Sequence, residues 1–359
     1  MVVMWVIGAI LIYLAIKKEM EPALLLPIGF GAILVNLPFS GAVTQFYPTG
    51  AEEGILDSLF DFGIANELFP LLLFIGIGAM IDFGPLLSNP KLMLFGAAAQ
   101  FGIFFTFSVA ALFGFDIKDA ASISIIGAAD GPTSIFVANF LESNYIGPII
   151  VCAYSYMALV PIIQPPFIKL CTTKKERLIR MPYKAREVSR LTRILFPIII
   201  TVITGLVSPR SVALIGFLMF GNLLRECLVV NSLSESAQNM LANLITLLLG
   251  ITVAAKMRAD DFLAKETLVI LGLGLVAFIF DTVGGVMFAK FLNLFLKQKI
   301  NPMIGAAGIS AFPMSARVVH KMGLEEDNQN FLLMHSTGVN VSGQIASVIA
   351  GGLILNLVS

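Results

Sequence analysis

The sequence predicts an all-α polytopic membrane protein of about 10–12 helical segments, in two related halves that each contain a broken or re-entrant helix. Three observations predict this class. First, 57% of the 359 residues are hydrophobic, 13% are charged and the mean hydropathy is +0.91, whereas a soluble fold of this length exposes more polar surface. Second, apolar runs of spanning length recur along the chain. Third, two apolar runs are interrupted by proline, hydroxyl side chains and a charge.

The uninterrupted runs are predicted to be helices, because a helix satisfies its own backbone hydrogen bonds in lipid and no alternating barrel pattern occurs. These runs lie near residues 1–16, 22–36, 64–81, 92–114, 146–168, 194–207, 211–224, 237–255, 268–290 and 330–357. The first run is followed, not preceded, by basic residues and has no small-residue cleavage site. We therefore expect a retained helix rather than a signal peptide.

The two interrupted segments lie near residues 118–141 and 302–322. Two sequence similarities suggest an internal repeat, and the first of them lies in these segments. Residues 130–137 (DGPTSIFV) align with residues 311–318 (AFPMSARV), and residues 71–79 resemble residues 247–255. Either chance similarity between apolar helices or a tandem repeat explains this. A repeat predicts a first membrane half at 1–168, a basic loop at 169–193 and a second membrane half at 194–359.

The loop charges predict an orientation. Residues 37–63 contain four carboxylates and no Lys or Arg, whereas residues 169–193 contain nine basic residues and two acidic ones. The positive-inside rule places the basic loop in the cytoplasm and the acidic loop on the far side. If every segment crossed once, both loops would lie on one side. Either the segment at 118–141 is re-entrant, or a helix has been miscounted.

The first break suggests a cation site. Asp130 lies at predicted membrane depth, where an ionisable side chain costs at least about 2.5 kcal/mol and indicates an ion or substrate pathway. Gly131 and Pro132 follow it, so the preceding carbonyls lose helical partners. A carboxylate with free carbonyls and hydroxyls suits Na⁺ or another hard cation. The alternative is a proline-kinked helix in which Asp130 pairs with a neighbour.

The second break contains Ser310 and Arg317, with Asn301 and Gly305 at its start. An intramembrane arginine needs a carboxylate, which is either a permanent partner such as Asp130 or a transient anionic substrate, unless the side chain snorkels to the interface. Polar residues inside the final apolar run, including Asn340 and Gln344, are typical of contacts between helices. Asp281 is either a second ion ligand or a packing pair.

Several motifs in order resemble one family over nearly the whole chain. They are residues 127–133 (GAADGPT), 154–156 (YSY) and 301–305 (NPMIG), Ser310 with Arg317, and residues 334–343 (MHSTGVNVSG). Together they resemble the β subunit of sodium-translocating, biotin-dependent carboxylic-acid decarboxylases, whose members serve oxaloacetate, methylmalonyl-CoA, glutaconyl-CoA or malonate decarboxylase complexes.

The resemblance implies that carboxybiotin on a carrier protein loses CO₂ at this subunit while Na⁺ leaves the cytoplasm and a proton is consumed. It implies catalytic roles for Tyr156, Arg317 and Ser310, with Arg317 holding carboxybiotin. The implied sodium-site residues are Asp130, Asn301, Gly305, Ser310, Asn340 and Tyr156. A stand-alone sodium-coupled organic-anion transporter is the alternative function.

The resemblance also implies the setting of the protein. The expected partners are a biotin carrier protein or domain, a carboxyltransferase subunit and a small membrane anchor subunit, and we expect a homo-oligomer within the complex. The expected location is the cytoplasmic membrane of a prokaryote. A net charge of zero predicts no nucleic-acid partner.

Overall fold

The computed structural model describes residues 1–48, 50–182 and 187–358, and this part of the chain is predominantly helical. The helices up to the basic loop are α1 Val2–Lys17, α2 Pro22–Val35, α3 Ile55–Phe60, α4 Leu68–Met80, α5 Gly84–Ser88, α6 Met93–Ala99, α7 Phe101–Leu112, α8 Ile117–Ser124, α9 Gly131–Phe140 and α10 Ile146–Cys171. Those that follow are α11 Lys174–Arg177, α12 Arg190–Val207, α13 Val212–Glu226, α14 Asn231–Glu235, α15 Ala242–Val253, α16 Ala259–Phe262, α17 Lys265–Phe295, α18 Met314–Glu326 and α19 Leu333–Val358.

Shorter irregular helical turns and one small hairpin complete the described chain. The 3₁₀ turns are Pro90–Leu92, Ile125–Ala128, Pro209–Ser211, Ala254–Lys256 and Pro302–Gly308, and the π-helical turns are Asp61–Ala65 and Ser236–Leu241. The two strands, β1 Gln45–Tyr47 and β2 Gly50–Glu52, pair antiparallel with Phe46 opposite Ala51.

The all-α polytopic class is confirmed. Six described helices are long and apolar enough to cross a membrane, or seven if a pair bent by 60° counts as one span. They are Pro90–Leu112, Ile146–Cys171, Arg190–Val207, Asn231–Lys256, Lys265–Phe295 and Leu333–Val358, with the bent pair Ile55–Ala65 and Leu68–Met80. Shorter apolar helices, α1 and α2 among them, pack beside these spans.

The segment at 118–141 forms a re-entrant hairpin, which we call hairpin 1 and which runs down α8 and back along α9. Asp119 at its start accepts hydrogen bonds from the Ser143 hydroxyl at 2.7 Å and from the Asn144 backbone and side-chain amides at 2.9 and 3.1 Å. Its two ends therefore meet on one face. This geometry supports the re-entrant interpretation and removes the contradiction in the loop charges.

The segment at 302–322 forms a second re-entrant hairpin, hairpin 2, made of the turn Pro302–Gly308 and α18. Asn301 before it and Asn330 after it both donate side-chain hydrogen bonds to the carbonyl of Arg177, at 2.8 and 2.9 Å. The Arg177 side chain also pairs with Glu326 at 2.6 Å. Hairpin 2 is therefore fastened at both ends to the described part of the basic loop.

The two hairpins enter from opposite faces. Hairpin 1 enters from the face of residues 36–48 and 50–54, which we call the acidic-loop face. Ser143 and Asn144 at its end share a cavity with Lys256, and the carbonyl of the next residue, Met257, accepts a hydrogen bond from Asn36 at 2.8 Å. Hairpin 2 enters from the face of residues 172–182, the basic-loop face. Of the basic loop predicted at 169–193, residues 183–186, including Lys184 and Arg186, lie outside the described residues.

Elements recur in similar order before and after the basic loop. A π-helical turn precedes both α4 and α15, and α2 packs against α15 while α13 packs against α4. A helix of each half thus packs against a helix of the other half, as expected for two halves of inverted topology. The division of the chain at residues 168 and 194 stays a prediction.

Candidate ion and substrate site

The two hairpins touch at their tips. The backbone amide of Ser310 donates a hydrogen bond to the carbonyl of Ala128 at 2.9 Å. Next to that bond, Ala129 has a left-handed backbone with φ 51°, which is unfavourable for a residue other than glycine. The turn ends the 3₁₀ segment Ile125–Ala128 and places Asp130 at the N-cap of α9.

Asp130 is buried and surrounded by hydrogen-bond donors. Its Oδ1 accepts from the Thr133 backbone amide at 3.3 Å, and its Oδ2 accepts from the hydroxyls of Thr133 at 2.8 Å and Ser347 at 2.9 Å. The N-terminal end of α9 adds a favourable dipole for negative charge. Asp130 forms no ion pair with another described residue, so the permanent Asp130–Arg317 pair is not formed.

Asp130 and Arg317 instead line one cavity of about 300 Å³, near the lower limit of small-molecule sites. Its polar lining consists of Glu21, Asp130, Tyr154, Asn243, Thr246, Ser310, Arg317 and Gln344. Glu21 and Met80 lie at helix ends on the basic-loop face, so the cavity extends from Asp130 toward that face. Residues of both breaks therefore line one cavity.

The Arg317 guanidinium makes no hydrogen bond or ion pair with a described residue. It lies in the first turns of α18 and is exposed toward the cavity. A planar guanidinium in this setting can form two parallel hydrogen bonds to a carboxylate. The arrangement suits a transient anionic ligand.

Four buried amides support the tip of hairpin 2. Each donates to one of its backbone carbonyls: Gln164 to Ala306 at 2.7 Å, Gln100 to Gly308 at 3.4 Å, Asn340 to Ile309 at 2.7 Å, and Gln344 to Ser310. The side-chain oxygens of all four are buried without a hydrogen-bond partner in the described chain. Buried polar atoms normally find partners, so these oxygens are available to a cation.

Ser310 and Asn340 lie at this tip. The Ser310 hydroxyl donates to the carbonyl of Gly343 at 3.0 Å, and Ser310 lines the cavity. Asn340 reaches both the Ile309 carbonyl and, at 3.0 Å, the Ser315 hydroxyl. The structure thus brings Asp130, Ser310, Arg317 and Asn340 together around the hairpin contact.

Asn340 does not itself line the cavity, and the other predicted residues, Gly305, Asn301 and Tyr156, also lie outside its lining. Gly305 packs against Gly285 of α17 so closely that a Cβ on Gly305 would lie 2.0 Å from the Gly285 carbonyl oxygen. Asn301 caps the turn Pro302–Gly308, accepting from the Met303 amide at 3.1 Å, and holds the basic loop. Their visible contacts position hairpin 2, and their roles in the ion site stay predictions.

Tyr156 also lies outside the cavity lining. Its hydroxyl donates to the carbonyl of Leu271 on α17 at 2.5 Å. Tyr154, two residues earlier, lines the cavity instead: its ring covers Gly131, and its buried hydroxyl has no partner in the described chain. The functional role of Tyr156 stays a prediction.

Asp281 has a structural contact and a free oxygen. Its Oδ1 accepts from the backbone amides of Gly102 at 2.5 Å and Ile103 at 3.3 Å, at the start of α7. Its Oδ2 has no partner in the described residues and lies near Gly127 of hairpin 1. The first contact packs α17 against the start of α7, and the alternative that Asp281 is a second ion ligand stays a prediction.

Sequence reasoning missed Glu21, Tyr154 and Ser347 as site residues. Ser347 lies seven residues, about two helical turns, after Asn340 in α19, so its spacing could have placed it on the face of the predicted site. Glu21 gave no signal, because it stands among other charges at the start of α2.

The apolar spans and the two re-entrant hairpins that meet beside a buried carboxylate define a multi-pass membrane protein. The profile of the family described as Na⁺-transporting oxaloacetate decarboxylase beta subunit matches residues 1–358. The chain belongs to this family, and it is the β subunit of a Na⁺-transporting decarboxylase.

Individual relatives are similar to this chain over nearly its full length. The chain is 49% identical to the methylmalonyl-CoA decarboxylase subunit beta of Propionigenium modestum over 374 residues, covering 99% of this chain and 94% of the relative. It is 48% identical to the glutaconyl-CoA decarboxylase subunit beta of Acidaminococcus fermentans over 356 residues, 99% and 92% of the two chains. It is 44% identical to the oxaloacetate decarboxylase beta chain of Klebsiella pneumoniae over 410 residues, 99% and 94% of the two chains. The resemblance found in the sequence is confirmed, and the decarboxylase subunit is favoured over the stand-alone transporter.

Proposed function

We propose that this subunit removes CO₂ from carboxybiotin on a carrier protein and uses the reaction to move Na⁺ out of the cytoplasm, consuming a proton. The single observation that carries this proposal is the shared cavity, in which Asp130 and Arg317 lie without an ion pair between them. A cation and an anion can therefore occupy one site together. The basic-loop face is the cytoplasmic face of a prokaryotic membrane in this proposal.

Na⁺ is the transported substrate, and Asp130 is its central ligand. Oxygen ligands suit a hard cation, and the cavity region offers the Ser310 hydroxyl and the unpartnered amide oxygens of Asn340 and Gln344. Among the described residues, no group of three His, Cys, Asp or Glu side chains could hold a metal ion. A weakly held, partly hydrated ion is therefore a better match than a resident metal.

Arg317 binds the carboxylate of carboxybiotin, which enters from the basic-loop face on its carrier. Carboxylate and Na⁺ then attract each other across the cavity, so each strengthens binding of the other. When CO₂ leaves and the ureido nitrogen takes up a proton, the substrate no longer carries a negative charge, so its attraction for Na⁺ ends. Once a proton has neutralised the negative charge in the cavity, Na⁺ binding is weaker, which is the coupling step we propose.

The remaining predicted roles follow from the resemblance. Tyr156 takes part in sodium binding and proton delivery, which requires release of its bond to Leu271. Asn301 and Gly305, whose contacts position hairpin 2, are further residues of the sodium site. The proposed partners are the biotin carrier, a carboxyltransferase subunit and a small membrane anchor subunit, and several copies of the subunit assemble in the complex.

Reconstitution tests the proposal. Proteoliposomes containing the subunit would receive a carboxylated biotin carrier, and CO₂ release and radioactive Na⁺ movement would be measured with and without Na⁺. The proposal predicts Na⁺-dependent release with Na⁺ transport, and Arg317→Gln should raise the carrier concentration needed for half-maximal rate while Lys321→Gln should not. Uptake of an organic anion with Na⁺ but without CO₂ release would favour the transporter instead.

A further inference from the structure

Glu21 has an unusual position at the mouth of the cavity. It is the N-cap residue of α2, yet its side chain makes no capping hydrogen bond, and its backbone is left-handed with φ 36°. A left-handed conformation costs a residue with a side chain roughly 1–2 kcal/mol. The Glu21 backbone carbonyl starts α2 by accepting hydrogen bonds from the amides of Leu24 and Leu25. The Glu21 side chain lines the cavity together with Arg317.

Few other side chains that line the cavity can exchange a proton. The titratable side chains lining the cavity are Glu21, Asp130, Tyr154 and Arg317, and neither α4 nor α15 contributes one. Asp130 is engaged as an acceptor by the Thr133 and Ser347 hydroxyls. The Tyr154 ring covers Gly131 and is buried.

Glu21 differs from these groups in being partly open to the basic-loop face. Burial raises the pKa of its carboxyl, and the Arg317 guanidinium offsets this only in part. A raised pKa brings a carboxyl closer to the range in which it can act as an acid near neutral pH. Its half-buried position also allows it to be reprotonated from water.

We propose that Glu21 is the general acid that protonates the biotin nitrogen as CO₂ leaves, and this role rests on the proposed function. The bond between the ureido nitrogen and the carboxylate carbon breaks, and its electron pair stays on the nitrogen. The Glu21 O–H bond supplies the proton to that nitrogen, and the carboxylate carbon departs as neutral CO₂. Glu21 is then reprotonated by water on the basic-loop face.

The step also preserves the charge around Arg317. Before the reaction, the negative charge lies on the carboxylate of the substrate; afterwards it lies on Glu21, which faces the same guanidinium. Arg317 therefore keeps a counter-charge until water reprotonates Glu21, and the negative charge that attracted Na⁺ leaves the cavity at that point. Glu21 replaces Tyr156 as the direct proton donor in this scheme, because Tyr156 is bonded to Leu271 away from the cavity lining.

The test compares Glu21→Gln, Glu21→Asp and Glu19→Gln in the reconstituted complex with a carboxylated biotin carrier at saturating Na⁺. Glu19 is the matched control, because it lies two residues away, is exposed and has φ 51° but does not line the cavity. General acids contribute typically about 10²–10⁴-fold, so Glu21→Gln should lower the maximal CO₂ release rate by roughly 100-fold or more. The carrier concentration for half-maximal rate should stay near the wild-type value, and Glu21→Asp should restore part of the rate.

The pH profile separates an acid from a structural residue. Protonated Glu21 is the active form, so the wild-type rate should fall as pH rises through the pKa of Glu21, and Glu21→Gln should lack this fall. A wild-type rate in Glu21→Gln, or a change confined to the half-saturating carrier concentration, would overturn the proposal. Wild-type protein that releases no CO₂ with Na⁺ would instead overturn the proposed function, and this role with it.

Discussion

The backbone amide of Ser310 donates a 2.9 Å hydrogen bond to the carbonyl of Ala128. This bond joins the tip of hairpin 2 to the tip of hairpin 1, two residues before Asp130. A displacement of either tip must therefore be followed by the other or break the bond. Ion binding at Asp130 and anion binding at Arg317 are connected through backbone as well as through charge.

Ser347→Ala should weaken Na⁺ binding. The Ser347 hydroxyl donates to Asp130 Oδ2 at 2.9 Å, and a hydrogen bond to a charged group contributes about 1.5–3 kcal/mol. We expect the Na⁺ concentration for half-maximal CO₂ release to rise by roughly tenfold or more, which is the equivalent of about 1.4 kcal/mol. Ser336→Ala in the same helix is the control, since the Ser336 hydroxyl has no partner in the described chain. An equal Na⁺ response in both variants would contradict the assignment.

Asp119→Ala should loosen hairpin 1. The change leaves three donors from Ser143 and Asn144 without their acceptor, and each unmade buried hydrogen bond costs about 1–3 kcal/mol. Thermal unfolding in detergent should begin at a clearly lower temperature. Asp116→Ala removes an exposed cap of the same helix and should cost only about 1 kcal/mol. Identical stabilities would show that Asp119 does not hold the hairpin ends.

Gly305→Ala should disrupt the packing of hairpin 2 against α17. The added Cβ would lie 2.0 Å from the Gly285 carbonyl oxygen, so backbone must move. We expect a lower yield of monodisperse protein on size exclusion and reduced CO₂ release. Gly272→Ala on α17 meets no atom within 4 Å and, as an exposed helix substitution, should be neutral or slightly stabilising. A fully folded and active Gly305→Ala variant would refute the packing role.

Sequence predicted the class of fold and the two breaks because both depend on local chemistry. Proline, glycine and an ionisable side chain in an apolar run interrupt a membrane helix wherever the run lies. Residue patterns also predicted that Asp130 and Arg317 belong to one functional region, and the cavity contains both. The sequence left the re-entrant course of hairpin 1 as one of two alternatives, and the contacts of Asp119 decide between them.

Long-range contacts explain what sequence could not predict. Tyr154 and Tyr156 are two residues apart on α10, so they point in different directions, and only packing against Gly131 and Leu271 shows which one meets the cavity. Glu21 comes near Arg317 only after α2 and hairpin 2 have folded together. Local pattern carries no information on such pairs.

The most direct test of the central claim is the Na⁺ dependence of CO₂ release by Asp130→Asn in proteoliposomes with a carboxylated biotin carrier. Asn keeps the shape of the side chain and removes the charge that the cation needs, while Thr133 and Ser347 can still donate to its oxygen. We predict that Na⁺-stimulated release is lost although the protein remains folded. Normal Na⁺ stimulation in this variant would show that the ion binds elsewhere.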